Sequence, residues 1–147
     1  MPPSFVPPDF AVPVGLAGPG FALVPLTEAH NERDYAAWTS SADHIHATPG
    51  FEGRPWPHPM TLEQNGQDLR HHVEDFAARQ GFTYSVLDGD DVIGCVYIYP
   101  SEQPDVDAEV RSWVRADRAA LDAEVHRLVT RWLADAWPFA VVDYATR

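Results

Sequence analysis

Lysine is missing altogether: the 10 basic residues among 147 are all arginine, set against 22 acidic ones for a formal net charge of −12. That excludes a Schiff base to pyridoxal phosphate and the phosphate-gripping lysine of a P-loop. Nucleic acid is excluded as a partner on the same ground, because its binding needs a basic face. A basic small molecule is electrostatically more welcome. Cysteine is nearly absent too. The single Cys95 sits inside a strand pattern, which rules out an internal disulfide, fits a reducing cytoplasm and reads as core, not nucleophile. No apolar run approaches the ~18 residues of a membrane-spanning helix, and the opening MPPSFVPPDF lacks the basic and apolar regions of a secretory signal. A cytoplasmic protein without a membrane partner is therefore expected. No nucleophile elbow is present, so Ser/His/Asp chemistry is set aside. His44 and His46 have H-x-H spacing and His71 adjoins His72, but no carboxylate or thiolate spacing completes a ligand set, and adjacent helix residues point apart. No metal is expected.

What the sequence has in quantity is proline, 14 residues of it, and much of that lies early. Proline fixes φ and lacks an N–H, so residues 1–20 read as an extended arm preceding a domain over 21–147. Phe5, Val6, Phe10, Val12, Val14 and Leu16 give the arm an apolar side to pack on its own domain or on a partner. FALVPL (21–26) reads as a short first strand, placed at a sheet edge by Pro25. A helix follows over TEAHNERDYAAWTSS, with Tyr35 and Trp38 at helical spacing. HATPGFEGRPWPHP is a loop; Thr61 and Gln64 then form a capping box for a helix that stops at Gly81. FTYSVLDGDDVIGCVYIY (82–99) is a hairpin around Asp88-Gly89-Asp90. AEVRSWVR (108–115) is a strand with Glu109, Arg111, Trp113 and Arg115 on one face. The last helix carries Leu121, Val125, Leu128, Val129, Trp132, Leu133 and Ala136 as a stripe, and FAVVDY (139–144) closes the chain as a strand. The order β-α-α-β-β-β-α-β implies an α+β, three-layer domain whose central sheet is mixed, mostly antiparallel, with helices on both faces.

That order, the DGD hairpin and the strand AEVRSWVR running into a helix resemble the GNAT (Gcn5-related N-acetyltransferase) superfamily over residues 21–145. The resemblance implies an acyl-CoA donor whose pyrophosphate rests on an Arg/Gln-x-x-Gly-x-Gly/Ala loop at a helix start, where free amides and the helix dipole favour an anion. The pattern falls on Arg118-Ala119-Ala120-Leu121-Asp122-Ala123: Arg118 and Ala123 match, while Leu121 stands at the middle glycine. A leucine Cβ hinders close approach of the backbone. Asp122 adds a carboxylate that costs a nearby phosphate on the order of 1 kcal/mol, which Arg115 and Arg118 are placed to offset. Val114 and Arg115, at the strand end, correspond to the main-chain partners of the family's pantetheine arm.

The resemblance makes Glu109 the expected general base; otherwise Glu109 is a surface carboxylate paired with Arg111. The family's usual tyrosine acid lies beyond the fifth strand, and Tyr99, near its strand end, is the candidate here if an acid takes part, though no spacing selects it. Tyr97 and Tyr99 are expected to share a face with Ile93 and Cys95. HIHATPGF, read as the loop between the first two helices, offers His44, His46 and Phe51 as contacts for the acceptor. Family members continue past the fifth strand, whereas here only three residues follow Tyr144. The exposed sheet edge is expected to be covered by the arm or by a second copy, which makes a homodimer an expectation. Two functions follow: acetyl transfer from acetyl-CoA to a small amine, or a catalytically inactive GNAT-like protein that binds a ligand or partner.

Overall fold

A computed structural model describes residues 4–147 and shows one six-stranded sheet in sequence order, β1-β2-β3-β4-β5-β6. The strands are β1 (Leu16–Gly18), β2 (Phe21–Pro25), β3 (Phe82–Asp88), β4 (Asp91–Pro100), β5 (Ala108–Val114) and β6 (Val142–Tyr144). All neighbours are antiparallel except β5 and β6, which run parallel. The parallel pair needs a crossover, supplied by α4 (Asp122–Ala136). On one face lie α1 (Asn31–Thr39), α2 (Ala42–His46) and α3 (Leu62–Ala77). On the other, α4 buries Val125, Val129, Trp132 and Leu133 against Tyr84, Val96, Ile98 and Val110, as its apolar stripe requires. The sheet is thus mixed, mostly antiparallel and covered on both faces.

The proline-rich arm lies on its own domain. Val6 is in the core, Phe5 stacks between Phe82 and Phe139 at centroid distances of 5.8 and 5.1 Å, and Phe10 meets Trp137 at 5.5 Å. The arm's first three residues lie outside the described ones. Its end forms β1, so β2 is not the edge strand that Pro25 suggested. The proline is tolerated because β1 pairs only with Phe21–Leu23, leaving nothing outside Pro25 that needs its missing N–H.

Two local expectations shift for physical reasons. The capping box forms as read, Gln64 N–H to Thr61 Oγ1 at 3.0 Å and Thr61 N–H to Gln64 Oε1 at 2.9 Å. The same helix, however, ends at Ala77, and Arg79, not glycine, adopts the positive φ of 60° that follows it. Arg79 is held there by donating to Pro7 O and Phe10 O of the arm at 2.7 and 2.9 Å. Gly81 serves another need: a Cβ there would lie 2.1 Å from the Tyr99 ring. In the β3–β4 hairpin, Val86 pairs with Gly94 but Leu87 with Val92, so Ile93 is an extra residue. This bulge moves Ile93 to the α4 face and leaves Val92, not Ile93, beside Cys95 and Tyr97.

Candidate active site

β5 presents Glu109 and Arg111 to the α1–α3 face, opposite Tyr99 and Tyr97 of β4 in register. Between these strands and α1 and α3 lies a cavity of about 730 Å³. Its wall near β5 is aromatic: Phe51 and Trp56 approach the Tyr97 ring at 6.4 and 6.5 Å. Tyr97 is fixed in turn by the Trp113 indole N–H, 3.0 Å from its hydroxyl oxygen. Glu109 Oε1 accepts from Arg111 and, at 3.1 Å, from Arg54, so one carboxylate holds both of the cavity's arginines. The simple Glu109–Arg111 surface pair is therefore only half of the arrangement.

Deeper in, Tyr99 donates to Asp75 Oδ2 at 2.8 Å, and His72 Nδ1 lies 2.8 Å from the same hydroxyl oxygen. Since the tyrosine's one proton is given to Asp75, Nδ1 of His72 must be the donor to Tyr99. The neutral imidazole then carries its free lone pair on Nε2. Burial holds His72 below its ordinary pKa against the opposing pull of Asp75, which keeps the ring neutral at pH 7. Burial, reinforced by the Asp75 bond, raises the Tyr99 phenol well above its usual value. Tyr99 thus keeps its proton and orients His72.

At the far end, Asp34 of α1 is 4% exposed. Asn65 donates to its Oδ2 at 3.0 Å and to Asn31 Oδ1 at 2.9 Å, while its own Oδ1 accepts the Trp38 indole N–H at 3.0 Å. Burial pushes the Asp34 carboxyl up to about 6; the Asn65 hydrogen bond opposes this and Asp68 adds to it. Residue-pattern reading missed Asp34, Asn65, His72, Asp75 and Arg54. A signal existed for the first: Asp34, Ala37, Trp38 and Ser41 are the buried residues at i, i+3, i+4 and i+7, so an acid stands in the helix's inward stripe.

A second feature lies at the other end of β5. Only Ala108, Glu109 and Val110 pair with β6, so the two strands part beyond Val110 and leave Arg111–Val114 without a neighbouring strand on that side. A 3-10 turn (Ala116–Leu121) leads from there into α4. In that turn the Arg118 amide donates to Arg115 O and the Asp122 amide to Ala119 O. Leu121 packs against the α4-side core, leaving the helix mouth to Asp122. The Asp122 carboxylate accepts from Arg147 Nε at 2.5 Å, while its Oδ1 is buried with no partner. Arg147, its side chain 7% exposed, also donates to Ser112 O at 2.8 Å and to Pro49 O at 3.3 Å. It therefore fills the gap between β5 and the start of α4. Tyr144 borders the gap, its hydroxyl 2.5 Å from Ser112 Oγ and its pKa pushed up to about 12 by burial.

The residues anticipated for the donor are arranged differently from expectation. Val114 is buried at the end of β5. Arg115 grips Asp91 at 3.0 Å and Asp117 at 2.6 Å, and Arg118 reaches Asp88 at 2.8 Å. Both arginines are committed to the hairpin side, so neither offsets Asp122; Arg147 does. Ala119 and Ala120 lie within the turn and Ala123 in the first turn of α4, all three as small residues. On the acceptor side Phe51 lines the cavity, whereas His44 and His46 do not. These two histidines lie on α2, not in a loop, and His46 Nε2 holds the Pro57 carbonyl at 2.6 Å. Among the described residues, no cluster of three or more His, Cys, Asp or Glu is placed to hold a metal ion, and no helix is long and apolar enough to cross a membrane.

The sequence matches no family model and no curated protein. Solved structures do match in shape. RimL, a ribosomal L7/L12 alpha-N-protein acetyltransferase, superposes with a TM-score of 0.61 at 10% identity over 83% of this chain. The ribosomal-protein-S5-alanine acetyltransferase of Vibrio fischeri gives 0.63 at 15% identity, covering 84% of this chain and 69% of that one. The microcin C7 self-immunity acetyltransferase MccE, solved with acetyl-CoA and AMP, gives 0.59 at 10% identity over 85% of this chain and 70% of its own. This chain spans only 63% of RimL's length. With strands that part beside the crossover helix, and with these three matches, the chain has the GNAT fold.

Proposed function

We propose that the protein is an acyl-CoA-dependent N-acyltransferase that moves an acetyl group from acetyl-CoA to a small amine. The observation that carries this reading is the parting of β5 and β6 beyond Val110, in the strand whose other half carries Glu109 and Arg111 into the cavity. An amine in the cavity and a thioester in the gap would approach one strand from its two sides. Transfer breaks the C–S bond of the thioester and forms a C–N bond. The amine's proton goes to a base, and the thiolate leaves with a proton from solvent or a nearby acid. Glu109 is the base in this reading, held in place by Arg54 and Arg111, and catalysis is positioning plus proton removal.

The donor fits the chain unevenly. Arg111–Val114 have a main-chain side that is not used by β6, which suits the amides of a pantetheine arm. The mouth of α4 already holds an anion of its own, Asp122. Donor binding in this reading draws Arg147 away from Ser112 and toward the phosphates, where a guanidinium forms paired hydrogen bonds. The Asp122–Arg147 pair also favours a second reading, a GNAT-shaped binding protein with no transfer activity.

Calorimetry with acetyl-CoA, propionyl-CoA and free CoA at millimolar concentration separates the two. The transferase reading expects heat of binding and acetyl transfer, with Glu109→Gln lowering kcat on the order of 100-fold at unchanged donor affinity. No heat with any of the three would sink it. The second reading expects Leu121→Gly combined with Asp122→Gly to create CoA binding from near zero, and it loses if the wild type binds equally well.

A further inference from the structure

We propose that the acceptor is an aliphatic diamine: Asp34 anchors its far ammonium while its other amine reacts at Glu109. This deepens the function proposed above and rests on it for the reacting end alone; the anchoring end stands on the cavity itself.

Asp34 is a buried carboxylate without a cation. Among the described residues no arginine or histidine makes an ion pair with it, and its one hydrogen bond comes from a neutral amide, that of Asn65. Asn65 cannot turn to provide more, because its amide is fixed by Asn31 and Trp38. A carboxylate held this way costs the fold stability, since burial removes water that nothing in the chain replaces. The cavity that Asp34 lines continues the same sign. It holds five carboxylates (Asp34, Asp68, Asp75, Glu102 and Glu109) against two arginines, and both arginines are engaged by Glu109. The end beyond Glu109 is therefore left with uncompensated negative charge.

Between the two ends the wall is aromatic, with Phe51, Trp56 and Tyr97 around it. Aromatic faces accept a methylene chain and attract an ammonium group. A monoamine would satisfy only one end, and a ligand with a carboxylate would meet Asp34 or Asp68 with like charge. A diamine satisfies both: its near nitrogen must lose a proton to react, and its far nitrogen stays charged. The overall charge of −12 steers such cations toward the molecule.

The preference should depend on pH in a defined sense. Asp68 from α3 and Cys95 and Tyr97 from β4 are the titratable groups around Asp34, His72 lines the same cavity beside Asp75, and Arg33 on its own helix is turned away to Asp90 O. The carboxylate form binds the cation, and in the empty protein Asp34 takes up a proton as pH falls through about 6. Affinity for the diamine therefore falls between pH 7 and pH 5.

The test is calorimetry on the whole chain without any donor, using 1,4-diaminobutane, 1-aminobutane and 4-aminobutanoate as probes. The expected result is diamine binding at least 10-fold tighter than the monoamine and no measurable binding of the amino acid. Asp34→Asn should erase that preference while raising Tm, because it removes an uncompensated buried charge of the same shape. A diamine that binds no tighter than the monoamine, undiminished diamine binding in Asp34→Asn, or a lower Tm for that variant would each overturn the proposal. Diamine affinity that does not change from pH 7 to pH 5 would do so without any variant. Diamine binding with no acetyl transfer on adding acetyl-CoA would keep the anchoring of an ammonium by Asp34 and overturn the reacting end together with the transferase reading.

Discussion

Two carboxylates, buried Asp34 and partly buried Asp122, sit at opposite ends of the candidate site and are treated differently by the chain. Each has one oxygen bonded, but Asp122 receives a guanidinium from Arg147 while Asp34 receives only the amide of Asn65. The end proposed for the donor is thus closed by an ion pair internal to the protein, and the end proposed for the acceptor is left short of a positive charge. Charge neutrality inside a low-dielectric site has to come from somewhere. Where the chain supplies the cation, a ligand must compete for it; where it does not, the ligand is expected to bring one.

Breaking the closed end should have the largest effect. Arg147→Ala leaves Asp122 partly buried without a counter-ion and is expected to lower stability by about 3 kcal/mol, read from urea unfolding. Adding Asp122→Ala should recover most of that loss, and the double variant should bind CoA more tightly than Arg147→Ala alone. Failure of the second substitution to recover stability would mean that Arg147 acts through Ser112 and Pro49 instead.

The open end should show itself in the pH dependence of stability. Asp34 has its folded pKa raised from 3.8 to about 6, so the folded state binds more protons than the unfolded state between those values. Its contribution is nil below the unfolded value, grows unfavourable as pH rises from about 4 to about 6, and levels off above that at on the order of 2–3 kcal/mol by pH 7. Asp34→Asn should flatten that segment of the curve, measured by urea unfolding between pH 4 and pH 7. An unchanged slope would place the titration on another group. A smaller effect is expected at Gly81→Ala, whose methyl would overlap the Tyr99 ring. About 1–2 kcal/mol of stability should be lost as Tyr99 shifts off Asp75 and His72, and the histidine's titration by NMR should move with it.

What could be read along the chain were the elements whose signals are local. The capping box at Thr61 and Gln64, the Asp88-Gly89 turn and the stripe through Val125, Val129 and Trp132 each depend on residues within a turn or two of one another. Their element order was enough to suggest the fold. The site was less legible. Glu109 and Phe51 could be named, but the arginine shared with Arg111 comes from position 54, 55 residues before Glu109. The His72–Tyr99–Asp75 network joins a helix to a strand 27 and 24 residues away. Ile93 illustrates the cost of a single extra residue: alternation assigned it to the Tyr97 face, and the bulge placed it on the other.

The sequence by itself determined the absence of lysine chemistry, the acidic balance, the helices and strands with their inward stripes, and hence the layered sheet. These follow from composition and from periods of two and 3.6 residues, which act over short spans. Tertiary structure alone decided which charges far apart along the chain meet. It gave Arg147 to Asp122, turned Arg115 and Arg118 to the hairpin and left Asp34 without a cation, because ion pairing depends on distances across the fold that no spacing along the chain encodes.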